Sequence, residues 1–276
     1  MDCGEAVIPR TYFIWPGGKP GAVTSSWDDG SIHDPRLIEV FRTHGLRGTF
    51  HINSGLLRGP GREDPFFLEE ADVARLYAGQ EIAAHSLTHP NLWTLSDDLV
   101  FYELAEDRRR LEQLAGYPVT GLAFPCGCGG DEDRLTAIAK RAGIRTARAS
   151  NIKGCFAPPT NWLRWGVTCH CADGLDEQWK KFEEMRVHDK LFFWWGHSHE
   201  FENKLGWGLL EEIATKIAGA DVWHATNREV YDYVQAWRGL VWTMDLNVVQ
   251  NPSFTPVWLL RNDALREIPP GATVAF

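Results

Sequence analysis

The chain has 276 residues, with 28 Lys and Arg against 37 Asp and Glu, for a net charge of -9 with His neutral. That balance excludes nucleic acid as the main partner, because phosphate binding needs a basic stripe, and no apolar run approaches the ~20 residues that cross a bilayer. Hydrophobic residues at 44% exclude wholesale disorder. The start of the chain lacks the basic segment and apolar run of a secretory leader, so a cytoplasmic protein with reduced thiols is expected. Short apolar runs then alternate with helical patterns. A run over 22–27 precedes a helix over 35–44, and a run over 48–53 precedes a Gly/Pro loop (55–65) and a helix over 68–78. A third run (81–85) leads to a long helix capped by Ser96 and ending near Gly116. Runs at 119–124, 144–149, 191–195 and 222–224 follow. Helices are expected over 131–142, 175–188, 209–218 and 227–237, and 151–173 reads as irregular.

Seven βα units predict a closed or nearly closed parallel barrel over residues 1–238, with an open doubly wound sheet as the other arrangement of the same pattern. Strands at 241–249, 257–260 and 273–276 break the rhythm. They are expected as a small C-terminal β extension (239–276) packed on the barrel, with edges that could pair in a homo-oligomer. The 13 Trp are mostly core by their bulk, with a few available to stack on sugar rings. None of the six Cys, including Cys3, Cys155 and the C-x-C pairs 126/128 and 169/171, forms the C-x-x-C of a zinc ribbon.

Four polar clusters each follow an apolar run: Asp28-Asp29-Gly30, His85-x-x-x-His89, Pro125-Cys126-Gly127 and His197-Ser198-His199. Alone, each has an ordinary explanation as a turn, a chance spacing or a packed histidine. In a parallel barrel all four converge on the carboxyl-terminal face, where such barrels carry their sites. Two imidazoles and a carboxylate make a three-ligand metal site with an open position for water. A second carboxylate can take the water's proton, and a further His can protonate a leaving group. No nucleophile elbow or phosphate loop is present.

At these residues the sequence resembles the polysaccharide deacetylase (NodB-homology) family over about residues 20–238. Residues Thr24 to Gly30 are similar to the T-F-D-D-G motif with Trp27 for Phe, Gly48 to His51 to A-T-F-F, and His85 to His89 to H-[ST]-x-x-H with its usual lead-in. The resemblance implies a distorted (β/α)7 barrel and removal of N- or O-linked acetyl groups from a carbohydrate. It implies Asp28 as general base, Asp29, His85 and His89 as ligands of one divalent ion (zinc by default, or cobalt, nickel or manganese), and His197 as general acid. The backbone N–H of Cys126, after Pro125, would hold the oxyanion, and Trp195 would help line the substrate pocket. The chain departs from the family at three places. Ala123 stands where the family has Arg, with Arg148 or Arg164 as candidate substitutes. The acidic-Trp fourth motif is not recognisable. Trp195-Gly196-His197 replaces L-x-H, with His199 competing for the acid's role. These departures leave two other readings open: a metal-dependent amidohydrolase on a small non-sugar amide, and a catalytically inactive carbohydrate-binding barrel.

Overall fold

The computed structural model describes residues 10–127 and 132–276; Cys3, Cys128 and Asp131, the expected helix start, lie outside them. In chain order the strands are β1 (Thr11–Phe13), β2 (Gly21–Asp29), β3 (Thr49–Ile52), β4 (Glu81–Ala84), β5 (Gly121–Ala123), β6 (Thr146–Ala149), β7 (Trp165–Gly166), β8 (Cys169–His170), β9 (Lys190–Gly196) and β10 (Trp223–His224). Five more follow: β11 (Val241–Trp242), β12 (Val248–Gln250), β13 (Val257–Arg261), β14 (Ala264–Ile268) and β15 (Thr273–Ala275). The helices are α1 (Asp34–Thr43), α2 (Val73–Leu76), α3 (Asp97–Ala115), α4 (Glu132–Arg141), α5 (Leu175–Glu184), α6 (Ser198–Glu200), α7 (Trp207–Ala218) and α8 (Asn227–Arg238).

One parallel sheet in the order β7-β6-β5-β4-β3-β2-β9-β8 forms the body. Its two ends, β7 and β8, are separated in the chain only by Val167 and Thr168. Thr168 N–H donates to the Phe193 carbonyl (2.7 Å), and Phe193 N–H donates to Thr168 Oγ1 (3.0 Å). The segment from Trp165 to His170 therefore bridges β6 and β9 and closes the ring. The result is the distorted (β/α)7 barrel expected above, but its seven staves are not the seven expected runs. Part of the stretch read as irregular supplies a stave, while β10 pairs only with Ala22 and Val23 at the lower half of β2. The stave escaped the sequence reading because its two ladder pieces are two residues each and every residue is buried, which removes the alternation that marks a strand.

Six of the 13 tryptophans are buried, and the other seven are intermediate or exposed. Trp15, Trp27, Trp165 and Trp194 are fully buried. Trp27, on β2, meets Trp194 edge to face at 4.9 Å and donates its indole N–H to Ser25 Oγ (3.1 Å). The α2 region is one turn preceded by a 3-10 turn, shorter than the expected 68–78, and the chain leaves it through Gly79 at φ 85°.

The terminal residues build two small antiparallel sheets, β1-β13-β14 and β11-β12-β15. Three features differ from expectation. The 241–249 run is broken by a turn in which Thr243 N–H donates to the Val248 carbonyl (3.0 Å). β14 was not anticipated; Asn262 and Asp263, at φ 47° and 63°, make the two-residue hairpin that leads into it. β1, from the other end of the chain, completes its sheet. Tyr233 of α8 pins these strands down, donating to the Ile14 carbonyl (2.5 Å) and accepting from Trp258 N–H (3.1 Å). Among the described residues no helix is long and apolar enough to cross a membrane.

Candidate active site at the carboxyl ends of the strands

Asp28, the penultimate residue of β2, is buried at the barrel mouth. Arg148 of β6 reaches across to it. Its Nη1 donates to Asp28 Oδ1 (2.9 Å) and Ser26 Oγ (2.8 Å), and its Nη2 donates to Asp28 Oδ2 (2.5 Å). Burial alone would push the Asp28 carboxyl up, but the Arg148 guanidinium, with His85 and His197, holds it well below the usual carboxylate range. Arg148 is the direct cross-strand partner of Ala123 in the β5–β6 ladder. The guanidinium absent from position 123 therefore arrives from the neighbouring strand. Arg148 also lies over the Trp195 ring, 4.2 Å from its centroid.

Asp29, His85 and His89 offer one ligand atom each, all within 4.8 Å of one another. His85 Nδ1 is 2.7 Å from the Ala123 carbonyl. A carbonyl only accepts, so the ring proton is on Nδ1 and the Nε2 lone pair faces the carboxylates, 3.6 Å from Asp28 Oδ2 and 3.7 Å from Asp29 Oδ1. That is the orientation a metal-ligating imidazole takes when its outer nitrogen is fixed by a backbone carbonyl. Burial also lowers the His85 pKa and keeps the ring neutral, as a ligand must be. The donor set therefore fits a divalent cation.

Its support is local and buried. Asp107 of α3 accepts from Ser54 N–H (2.8 Å) and His85 N–H (3.0 Å), while Asn53 Nδ2 donates to the His85 and Ser86 carbonyls. The loops that carry these groups are strained. Among the described residues seven non-glycines have positive φ, and four are here: Asp29 (82°), Ser86 (66°), His89 (57°) and Cys126 (60°). Such backbone persists where surrounding structure over-determines it, and it concentrates at functional sites.

His197 follows β9, with Nε2 3.9 Å from Asp28 Oδ2. Its Nδ1 is 3.4 Å from Glu200 Oε2, and its backbone N–H donates to that same oxygen (3.0 Å). Burial disfavours the imidazolium, but Glu200, Asp28 and Asp29 outweigh it and the His197 pKa is raised. His199 lies against Phe66, with ring centroids 5.3 Å apart, and burial lowers its pKa. His197 is thus the one of the pair in contact with Asp28. Ser198, between them, donates to Asp34 (2.5 Å), as does Tyr77 (2.5 Å), and burial pushes the Asp34 carboxyl up to about 7.

Two groups here were not anticipated. Glu200 carried a usable signal, its placement three residues after a helix N-cap, from which it reaches back to the His197 N–H. His170 carried none, because its strand is two residues long. His170 Nε2 is 3.2 Å from Glu200 Oε2. Its Nδ1 accepts from Ala172 N–H (3.1 Å), so its proton is on Nε2 and points at the carboxylate. His170, His197 and Glu200 could by distance hold an ion, but an Nε2 that carries the proton is not a ligand. This second cluster gathers instead around the Glu200 carboxylate, which accepts from the His197 N–H and the Cys171 thiol. Pro125 and Cys126 follow β5 after Phe124, two residues beyond the Ala123 carbonyl that fixes His85, and Cys126 is exposed.

Residues 16–147 match the family model for polysaccharide deacetylase. A Mycobacterium smegmatis protein assigned to the polysaccharide deacetylases superposes with a TM-score of 0.60 at 18% identity, over 83% of this chain and 95% of that one. The Bc1960 peptidoglycan N-acetylglucosamine deacetylase gives 0.51 at 16% identity, over 79% and 91%. A Streptococcus pyogenes deacetylase in complex with acetate gives 0.46 at 17% identity, covering 51% of this chain and 61% of that chain. Comparison with curated proteins finds no match.

Proposed function

We propose that this chain, whose residues 16–147 match the polysaccharide deacetylase family model, is a metal-dependent hydrolase that removes acetyl groups from an N- or O-acetylated carbohydrate. The observation that carries this reading is a pair of oppositely tuned groups in contact beside the ligand triad: Asp28 Oδ2 is 3.6 Å from His85 Nε2 and 3.9 Å from His197 Nε2. Asp28 is buried and held ionised by Arg148, and His197 is held toward its protonated form. Pairs of titratable groups whose surroundings push their pKa values apart mark the base and the acid of a site.

Asp29, His85 and His89 would hold one divalent ion, zinc by default with cobalt, nickel or manganese also suited to the donors. When bound, such an ion supplies Lewis acidity toward the acetyl carbonyl. The rest of the work falls to the chain. Asp28 accepts a proton from the attacking water as its oxygen bonds to the acetyl carbon. The Cys126 N–H, beyond Pro125, donates to the developing oxyanion. As the C–N or C–O bond breaks, His197 Nε2 gives its proton to the departing amine or alcohol, and acetate is released. Glu200 holds His197 in the orientation for that transfer, and Arg148 keeps Asp28 ionised for the first step. Trp195, beneath Arg148, walls the pocket.

Replacing Asp28 by Asn tests the assignment. The variant is expected to bind metal as the parent does and to release acetate from N-acetylated oligosaccharides at least about a hundredfold more slowly, the lower end of general-base contributions. Parental turnover in a metal-loaded Asp28→Asn protein would remove Asp28 from the role.

A further inference from the structure

The acid side of the site contains one more group than the proposed reaction requires. Glu200 Oε2 accepts from the His197 backbone N–H (3.0 Å) and the Cys171 thiol (3.6 Å), and it faces His170 Nε2 at 3.2 Å. Of these donors only His170 is fixed in its role by a third group, because the Ala172 N–H occupies Nδ1. The ring is nine-tenths buried and packs edge-on against Trp195, with centroids 4.5 Å apart. The opposing influence on Trp195 is Arg148, the partner of Asp28.

We propose that His170 is a positioning residue for proton donation by His197, acting through Glu200. This rests on the deacetylase reading above. Glu200 extends from a one-turn helix, and the His197 side chain is about a quarter exposed at the mouth. Without the His170 N–H, Glu200 Oε2 loses one of the donors that fix it beside His197 Nδ1. His170 supplies that donor as a neutral N–H from the segment that closes the barrel. The chain His170 Nε2–H, Glu200, His197 thus draws the donor's orientation from two staves, β8 and β9.

The test uses leaving-group dependence. Proton donation matters for an amine that leaves poorly and not for a phenolate that leaves unaided. In metal-loaded protein, His170→Leu is expected to lower kcat on an N-acetylated oligosaccharide by about tenfold to a hundredfold, with KM within about twofold, and to leave aryl acetate hydrolysis near the parental rate. His170→Gln, whose amide N–H can still reach Glu200, is expected to recover most of the loss. Equal losses on both substrates, no loss on the amide, or a Gln variant as impaired as the Leu variant would overturn the proposal.

Side-chain nitrogen NMR reads the same contact without turnover. His170 is expected as the Nε2–H tautomer, with the His197 ring resonances displaced in the Leu variant and restored in the Gln variant. Unmoved His197 resonances in the Leu variant would overturn the proposal. Absence of acetate release from the parent protein would instead overturn the deacetylase reading, and the NMR result would still decide the role of His170.

Discussion

Removing Arg148 is the perturbation whose cost the structure specifies most fully. Its guanidinium makes three hydrogen bonds, two to Asp28 and one to Ser26, and both charged side chains are buried. Breaking a buried pair from one side leaves the other charge uncompensated, at about 3–5 kcal/mol. Arg148→Met is therefore expected to lose about 3–5 kcal/mol in denaturant unfolding. With the guanidinium gone, burial dominates at Asp28, its pKa rises instead of falling, and a base that is protonated near neutral pH no longer works. Removing both charges relieves the penalty. The Asp28→Asn/Arg148→Met double variant should be more stable than the sum of the single losses predicts, by about 2 kcal/mol or more, within the range of coupled neighbours. Because Ala123 and Arg148 are cross-strand partners, Ala123→Arg combined with Arg148→Ala should return part of the lost turnover from the adjacent strand. A loss below about 1 kcal/mol for Arg148→Met, or additive losses in the double variant, would refute the claim that this pair is a tightly coupled buried unit.

Two further outcomes follow from buried carboxylates away from the catalytic pair. Glu81 accepts from Thr49 Oγ1 (2.8 Å) and Arg228 N–H (2.8 Å), and burial raises its pKa to about 7. A carboxyl raised on folding stabilises fully below its unfolded value and loses that contribution as pH rises through about 7. Glu81→Gln should therefore flatten the fall in unfolding free energy between about pH 5 and pH 7, by up to ~1.4 kcal/mol per pH unit; an unchanged slope would contradict this. Asp107→Ala orphans the buried Ser54 N–H and leaves the His85 N–H only its bond to the Ile52 carbonyl (3.2 Å). It should cost about 1–3 kcal/mol for the unsatisfied donor and weaken metal binding, read by denaturation and by metal titration. Parental metal affinity would show that Asp107 does not hold the His85 backbone in place.

The chemistry at the strand ends was legible because each group follows an apolar run within a few residues. Asp28-Asp29 extends β2, the two His follow β4, and His197 follows β9, so local sequence alone assigns them to one face. What the sequence did not convey depends on register between distant strands. That Arg148 stands beside Ala123 is a property of the β5–β6 ladder, and a single chain does not display its pairing. The stave from Trp165 to His170 is buried on every residue and interrupted after two, so it lacked both alternation and length. With it went His170. Glu200 was within reach of a helix-capping argument, but the short α6 gives no periodic pattern to attach one to. At the far end, neither the turn at Asn262-Asp263 nor the arm it leads into, β14, was read from the sequence.

The most direct test of the central claim is acetate release from an N-acetylated oligosaccharide by metal-stripped protein, before and after reconstitution with one equivalent of zinc, in the parent and in His85→Ala/His89→Ala. The account predicts acetate only from the reconstituted parent, with no restoration in the double variant. Equal acetate release from stripped and reconstituted protein, or none from either, would contradict it.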